Sequence, residues 1–232
     1  MIKPIETKYK GYRFRSRLEA RWAVFFDTVG IQWVYEPEGY VLDGGVCYLP
    51  DFYFPEWGTY VEIKPDIPDD LDAIWKLHNL AVSTNTEGHN AKESYLICGT
   101  PGMPKFEHRI ADPIFTVGDG YAILSCSGIV SDGLPFIAVG CFAMTDGGTN
   151  LDVWPMYSKM TDEGFVMLPY TVRPQNVTGN NRNLWCPTIF HGSVTRYYLG
   201  KGVTYDSSRL RIAYNAARAA HFEHGDEPGK ST

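Results

Sequence analysis

The chain has 232 residues, of which 44% are hydrophobic, 14% aromatic and 21% charged. That composition is rich enough to bury a core over one or two domains, and it excludes disorder as the expected state. The net charge of −6 excludes a uniformly basic nucleic-acid coat, but the charge is unevenly spread. Residues 1–21 carry seven Lys/Arg against two Glu, and residues 196–218 carry five against one Asp, whereas residues 22–195 carry eight against 21 acids. Basic ends around an acidic middle suit a phosphate-binding surface beside a carboxylate-rich site.

Residues 1–10 are polar and contain no signal-peptide core. From 16 to 29, Leu18, Trp22, Phe25, Phe26 and Val29 recur with helical spacing, and Gly30 is placed to stop the helix. Short β-branched and aromatic runs follow at 31–35, 40–42, 46–54 and 59–64, separated by Gly, Pro and Asp. They predict an antiparallel meander with a turn at Asp43-Gly44-Gly45. A second helix is expected over about 69–82, opening on acids that suit a helix N-terminus, and 94–98 reads as a buried strand. The order helix, three-stranded meander, helix, strand predicts an α/β core on a mixed sheet within residues 1–100.

Residues 101–205 hold short apolar runs at 114–117, 121–124, 136–144 and 165–168, read as a β-rich extension with no chemical motif. The longest apolar run of the chain, 136–144, is under half of the roughly 20 residues that span a bilayer. A soluble, unexported, cytoplasmic protein with no membrane partner is therefore expected. A last helix is predicted from Asp206 to about Phe222, capped by Asp206 or Ser207, with a polar tail to 232. Five scattered cysteines suggest reduced thiols, and Cys186-x4-His191 alone is too little for a zinc site.

The chemistry concentrates in Leu49-Pro50-Asp51 and Val61-Glu62-Ile63-Lys64. With Glu56-Trp57 as the turn, Pro55 faces Gly58 and Asp51 faces Glu62, about 4.5–5.5 Å apart at Cβ. A turn shifted by one residue places Asp51 opposite Lys64 instead. In either register Lys64 shares the face of Glu62, two residues away. Two adjacent carboxylates call for a cation, and hard oxygen ligands select Mg²⁺, with Mn²⁺ able to substitute. Ser16-x-x-Glu19 also forms a capping box, with Glu19 reaching back to the Ser16 amide. Arg13, Arg15, Arg17 and Arg21 surround it at a helix N-terminus, where phosphate is favoured.

The pattern Pro50-Asp51, ten residues, Glu62-Ile63-Lys64, behind a helix bearing Arg15-Ser16-Arg17-Leu18-Glu19, resembles the PD-(D/E)xK nuclease superfamily. It is most similar to the phage and transposon branch that includes junction-resolving endonucleases. The resemblance covers residues 9 to about 99 and implies a restriction-endonuclease-like core. In that branch a glutamate on the first helix joins the Asp and Glu of the hairpin, and Glu19 stands at that position.

The expectation is a Mg²⁺-dependent endonuclease acting on DNA, with branched DNA as a substrate implied by the resemblance. Asp51, Glu62 and Glu19 are expected to hold the metal, and Lys64 to position water. Arg13, Arg15, Ser16 and Arg17 are expected to bind phosphate. A homodimer is the oligomer such relatives suggest. The competing expectations are an RNA nuclease and a non-catalytic nucleic-acid-binding or assembly module of the same fold. Glu36 and Glu38 read as solvated loop residues, with a carboxylate standing behind the metal ligands as the alternative, and His78 and His89 as packing or surface.

Overall fold

The computed structural model describes residues 6–66, 72–84, 94–103, 120–131, 134–145, 150–161, 164–168 and 207–222. The chain opens with a hairpin absent from the sequence expectation, β1 (Thr7–Tyr9) and β2 (Tyr12–Phe14). Tyr9 pairs with Tyr12 across Lys10-Gly11, and both turn residues have positive φ, 49° and 82°. That is the two-residue turn whose twist matches the strands.

Helix α1 (Arg17–Val29) then forms as the periodicity predicts. Ser16 is its N-cap, with Oγ accepting from the Glu19 N–H at 3.2 Å. Gly30 closes it at φ 79°, its N–H reaching the Phe26 and Asp27 carbonyls. A side chain there is strained in the left-handed region, and its Cβ would meet Arg209 at 3.4 Å. Gly30→Ala is expected to cost about 1–2 kcal/mol, measurable as a lowered urea midpoint with an unchanged slope.

The next runs depart from the predicted meander. Residues 31–33 are not strand, and β3 is only Val34–Tyr35. The predicted strand over 46–54 is two strands, β5 (Val46–Tyr48) and β6 (Phe52–Phe54), with β4 (Tyr40–Leu42) before them. Strands β4 and β5 form a separate two-stranded ribbon, while β6 lies between β3 and β7 (Thr59–Lys64) in the main sheet. The break falls at Leu49-Pro50-Asp51. Proline lacks the N–H that a continuous ladder needs, so the chain changes partners there.

Helix α2 (Asp72–Ser83) connects β7 to β8 (Ser94–Gly99), which pairs with it in parallel. The β-rich segment then continues the same sheet. Strand β9 (Tyr121–Ser131) adds antiparallel to β8, followed by β10 (Leu134–Thr145), β11 (Asn150–Thr161) and β12 (Gly164–Leu168). Among the described residues this is one eight-stranded mixed sheet in the order β12-β11-β10-β9-β8-β7-β6-β3. Pro155 sits inside β11 opposite Gly140. The pairing with β12 involves residues 157–161 of β11. The run at 114–117 lies outside the described residues, as do Cys186, His191 and His89.

Helix α3 (Ser208–Ala219) is capped by Ser207, whose Oγ accepts from the Leu210 N–H. It packs on α1: Phe25 stacks on Tyr214 at 4.9 Å, and the Tyr214 and Tyr121 hydroxyls meet at 2.7 Å. Arg209 donates to the Val29 carbonyl at the C-terminus of α1, where positive charge is favoured. Trp22, wholly buried, donates from Nε1 to the Gly99 carbonyl at 3.0 Å and so fixes α1 to the end of β8. Rings from α1 meet rings from the sheet, Phe26 against Phe52 and Phe54. Full burial of each such side chain contributes about 1.5–3 kcal/mol. None of the helices among the described residues is long and apolar enough to cross a membrane.

Candidate active site

The β6–β7 hairpin adopts the first of the two predicted registers. Phe52 pairs with Val61, Tyr53 with Tyr60 and Phe54 with Thr59. Residues 55–58 turn through a Gly58 N–H to Pro55 carbonyl bond of 3.3 Å. Asp51, one residue before β6, therefore stands at the level of Glu62. Tyr60, Glu62 and Lys64 alternate onto one face of β7, and the ribbon lies over that face. Tyr40 of β4 shares a 2.7 Å hydroxyl contact with Tyr60, and Tyr48 of β5 donates to Glu62 Oε2 at 2.9 Å. Phe52 and Val61 point the other way, toward α1.

Three carboxylates are buried here: Asp51 at 4% exposure, Glu19 at 7% and Glu62 at 8%. Glu19 enters from the first turn of α1 and Glu62 from the ribbon side, and the charges of both bear on Asp51. Burial, then the charge of Glu62, then that of Glu19 push the Asp51 carboxyl well above the usual range. The Ile63 N–H and Arg15 act in the opposite direction. The Lys64 ammonium loses by burial and gains more from the charge and hydrogen bond of Glu62, so its pKa is raised.

All six oxygens of these carboxylates already accept a hydrogen bond from the protein. Asp51 takes Arg15 Nη2 on Oδ1 and the Ile63 N–H on Oδ2, both at 2.8 Å. Glu62 takes Lys64 Nζ at 2.6 Å on Oε1 and Tyr48 on Oε2. Glu19 takes the Ser16 hydroxyl at 2.6 Å on Oε1. Its Oε2 takes the Tyr35 hydroxyl at 2.7 Å and the Arg15 N–H at 3.2 Å. The capping box thus differs from the expected one: the glutamate reaches the amide of Arg15, not of Ser16. The reason lies in the Ser16 hydroxyl and Tyr35, which draw the carboxylate past the cap toward β3.

The basic residues divide into two groups. Arg13 pairs with Glu6 on the surface, and Arg15 bridges Asp51 and Glu36, the latter at 2.7 Å from Nε. Glu36 thus stands behind Asp51 as the second partner of Arg15, the alternative to a solvated loop residue, and Glu38 accepts from Tyr40 at 2.8 Å. Arg17 and Arg21, one turn apart on α1, each have a buried Nε with no hydrogen-bond partner. His78 is buried in α2 beside Trp75.

The donor set is oxygen-only and buried, the ligand chemistry that hard divalent cations select. As the side chains stand, no three His, Cys, Asp or Glu among the described residues form a group that could hold one, and cationic side chains neutralise Asp51 and Glu62 instead. Sequence reasoning missed Tyr35, Tyr48 and the Arg15–Asp51 pair. All three join elements distant in the chain, and only the aromatic content of 31–35 and 46–54 hinted at the tyrosines. Comparison with protein-family models, with curated proteins and with solved structures finds no match.

Proposed function

We propose that the chain is a Mg²⁺-dependent endonuclease that hydrolyses phosphodiester bonds in DNA. The observation that carries this reading is the meeting of Asp51, Glu62 and Lys64 on one hairpin with buried Glu19 beside them. Asp51 and Glu62 would hold the metal, with Glu19 completing the set. A bound Mg²⁺ supplies Lewis-acid polarisation of a phosphate oxygen and a lowered pKa for water. Lys64, whose Nζ lies 2.6 Å from Glu62, is held where its remaining N–H groups can orient a nucleophile or offset charge developing on phosphate. Tyr48 and Tyr35 each donate to one oxygen, of Glu62 and of Glu19 respectively. Arg17 and Arg21 offer guanidinium groups to the DNA backbone.

The test is nicking of supercoiled plasmid by the full chain with Mg²⁺, Mn²⁺ or EDTA, alongside matched duplex DNA, four-way-junction DNA and RNA. Metal-dependent cutting of DNA supports the reading. Cutting of RNA alone changes the substrate class, and cutting that persists in EDTA removes the metal from the mechanism. A second reading draws on the Arg15–Asp51 and Lys64–Glu62 pairs, which neutralise two carboxylates without a metal. It makes the chain a nucleic-acid-binding module and predicts DNA binding without any nicking.

Under either reading, changing Arg17 and Arg21 together to Gln is expected to weaken binding to all DNA sequences alike. The slope of log affinity against log salt falls by about 0.9 for each phosphate that the protein no longer neutralises. Weakening that depends on base sequence counts against this pair as binders of the DNA backbone.

A further inference from the structure

Arg15 differs from the other groups that satisfy the three carboxylates. The Ile63 N–H belongs to the backbone of β7, Tyr35, Tyr48 and Ser16 are neutral, and Lys64, the other cation, pairs with Glu62, itself a member of the set. Arg15 is a cation on a side chain that is 54% exposed, while its own backbone N–H is fixed by Glu19 and Tyr35. Its guanidinium has two carboxylate anchors, and only one of them, Asp51, belongs to the candidate metal-binding set. The other, Glu36, is held in the left-handed region at φ 44°, a conformation that a side chain disfavours. The bond from its N–H to the Asp51 carbonyl, 2.9 Å, keeps it there. The strained residue thereby places a second carboxylate beside Arg15, outside the metal-binding set.

We propose that Arg15 is a displaceable counterion, which occupies Asp51 in the metal-free protein and withdraws to Glu36 when a divalent cation binds. This rests on the metal-site reading above. A guanidinium and a divalent cation brought together on Asp51 Oδ1 repel each other, so metal binding favours withdrawal of Arg15 to Glu36, and affinity for metal is lowered by the cost of that exchange. The arrangement keeps three buried carboxylates tolerable before metal arrives, and Glu36 limits how far the guanidinium must travel. Because the displaced group stays tethered, the exchange is reversible on removal of the metal.

The experiment is calorimetric titration of Mn²⁺ into EDTA-stripped full-length protein, with melting curves in EDTA and in saturating Mn²⁺. Arg15→Gln is expected to bind Mn²⁺ on the order of tenfold more tightly than wild type. It is also expected to melt lower in EDTA, with the deficit closing in Mn²⁺. Arg15→Met, which keeps the stem but no polar head, serves as a second neutral variant and is expected to behave alike. Lys10→Gln, which removes a cation paired to Asp27, is expected to leave Mn²⁺ affinity within about twofold. Equal affinity in wild type and both Arg15 variants overturns the counterion role while leaving the metal site standing. Equal tightening by Lys10→Gln overturns it too, since general charge would then suffice. Absence of Mn²⁺ binding in every protein overturns the metal site and the counterion role together.

Discussion

Glu62→Gln is expected to lower Mg²⁺-dependent cleavage by on the order of 10³-fold while leaving the melting temperature in EDTA within about 3 °C of wild type. The local hydrogen bonds explain why activity and stability separate. The amide oxygen can accept from Lys64 in place of Oε1, and the amide N–H can donate to the Tyr48 hydroxyl, which reverses from donor to acceptor. Both side-chain contacts of position 62 keep a hydrogen bond, and one of the two carboxylates whose charge bears on Asp51 is gone. The variant lacks only the negative charge that a divalent cation requires. Asp51→Asn makes the same chemical test less cleanly. One oxygen cannot serve both the Ile63 N–H and Arg15, so the guanidinium is left with Glu36 and solvent, and a stability loss of about 1 kcal/mol is expected. Steady-state nicking rates and thermal melts on both variants decide the matter. Near-normal turnover by either one in Mg²⁺ removes these residues from the metal site.

The parts of this site written in local spacing were legible in the sequence. Ser16, Glu19 and Gly30 announced the ends of α1, and Pro55-Glu56-Trp57-Gly58 offered two registers, one of which brings Asp51 level with Glu62. Glu62 and Lys64 needed only the two-residue period of a strand. What escaped depends on chain reversal at a distance. The residue pattern puts Pro50 inside one strand, though its missing N–H divides 46–54 between the ribbon and the main sheet, and that division carries Tyr48 over Glu62. The pairing of β9 on β8 spans a long intervening segment, so no local pattern revealed that 121–168 extends the core sheet. The four arginines clustered in sequence point to Arg15 as a phosphate ligand. Nothing local says that one of them reaches a carboxylate 36 residues away.

Glu19→Gln is expected to reduce cleavage by on the order of 10²-fold or more while melting close to wild type, and the geometry makes the two roles of Glu19 separable. Its carboxylate serves three donors, Ser16, Tyr35 and the Arg15 N–H. A glutamine oxygen can replace Oε2 and keep Tyr35 and Arg15. Its side-chain N–H then donates to Ser16 Oγ, whose own proton turns to solvent, and the backbone N–H at position 19 still bonds the Ser16 cap. The helix N-terminus is therefore preserved, whereas Ser16→Ala, which removes the cap itself, should cost about 0.5–2 kcal/mol. Tyr35→Phe is the complementary control. It keeps the charge of Glu19 and removes one donor to it, so a stability loss of about 1 kcal/mol with cleavage reduced less than by Glu19→Gln is expected. Partial recovery of Glu19→Gln in Mn²⁺, which takes nitrogen and softer ligands more readily than Mg²⁺, marks a charge acting on the metal. Wild-type cleavage by Glu19→Gln at an unchanged melting temperature would assign Glu19 to the cap and to Tyr35 alone, and leave Asp51 and Glu62 to hold the metal without it.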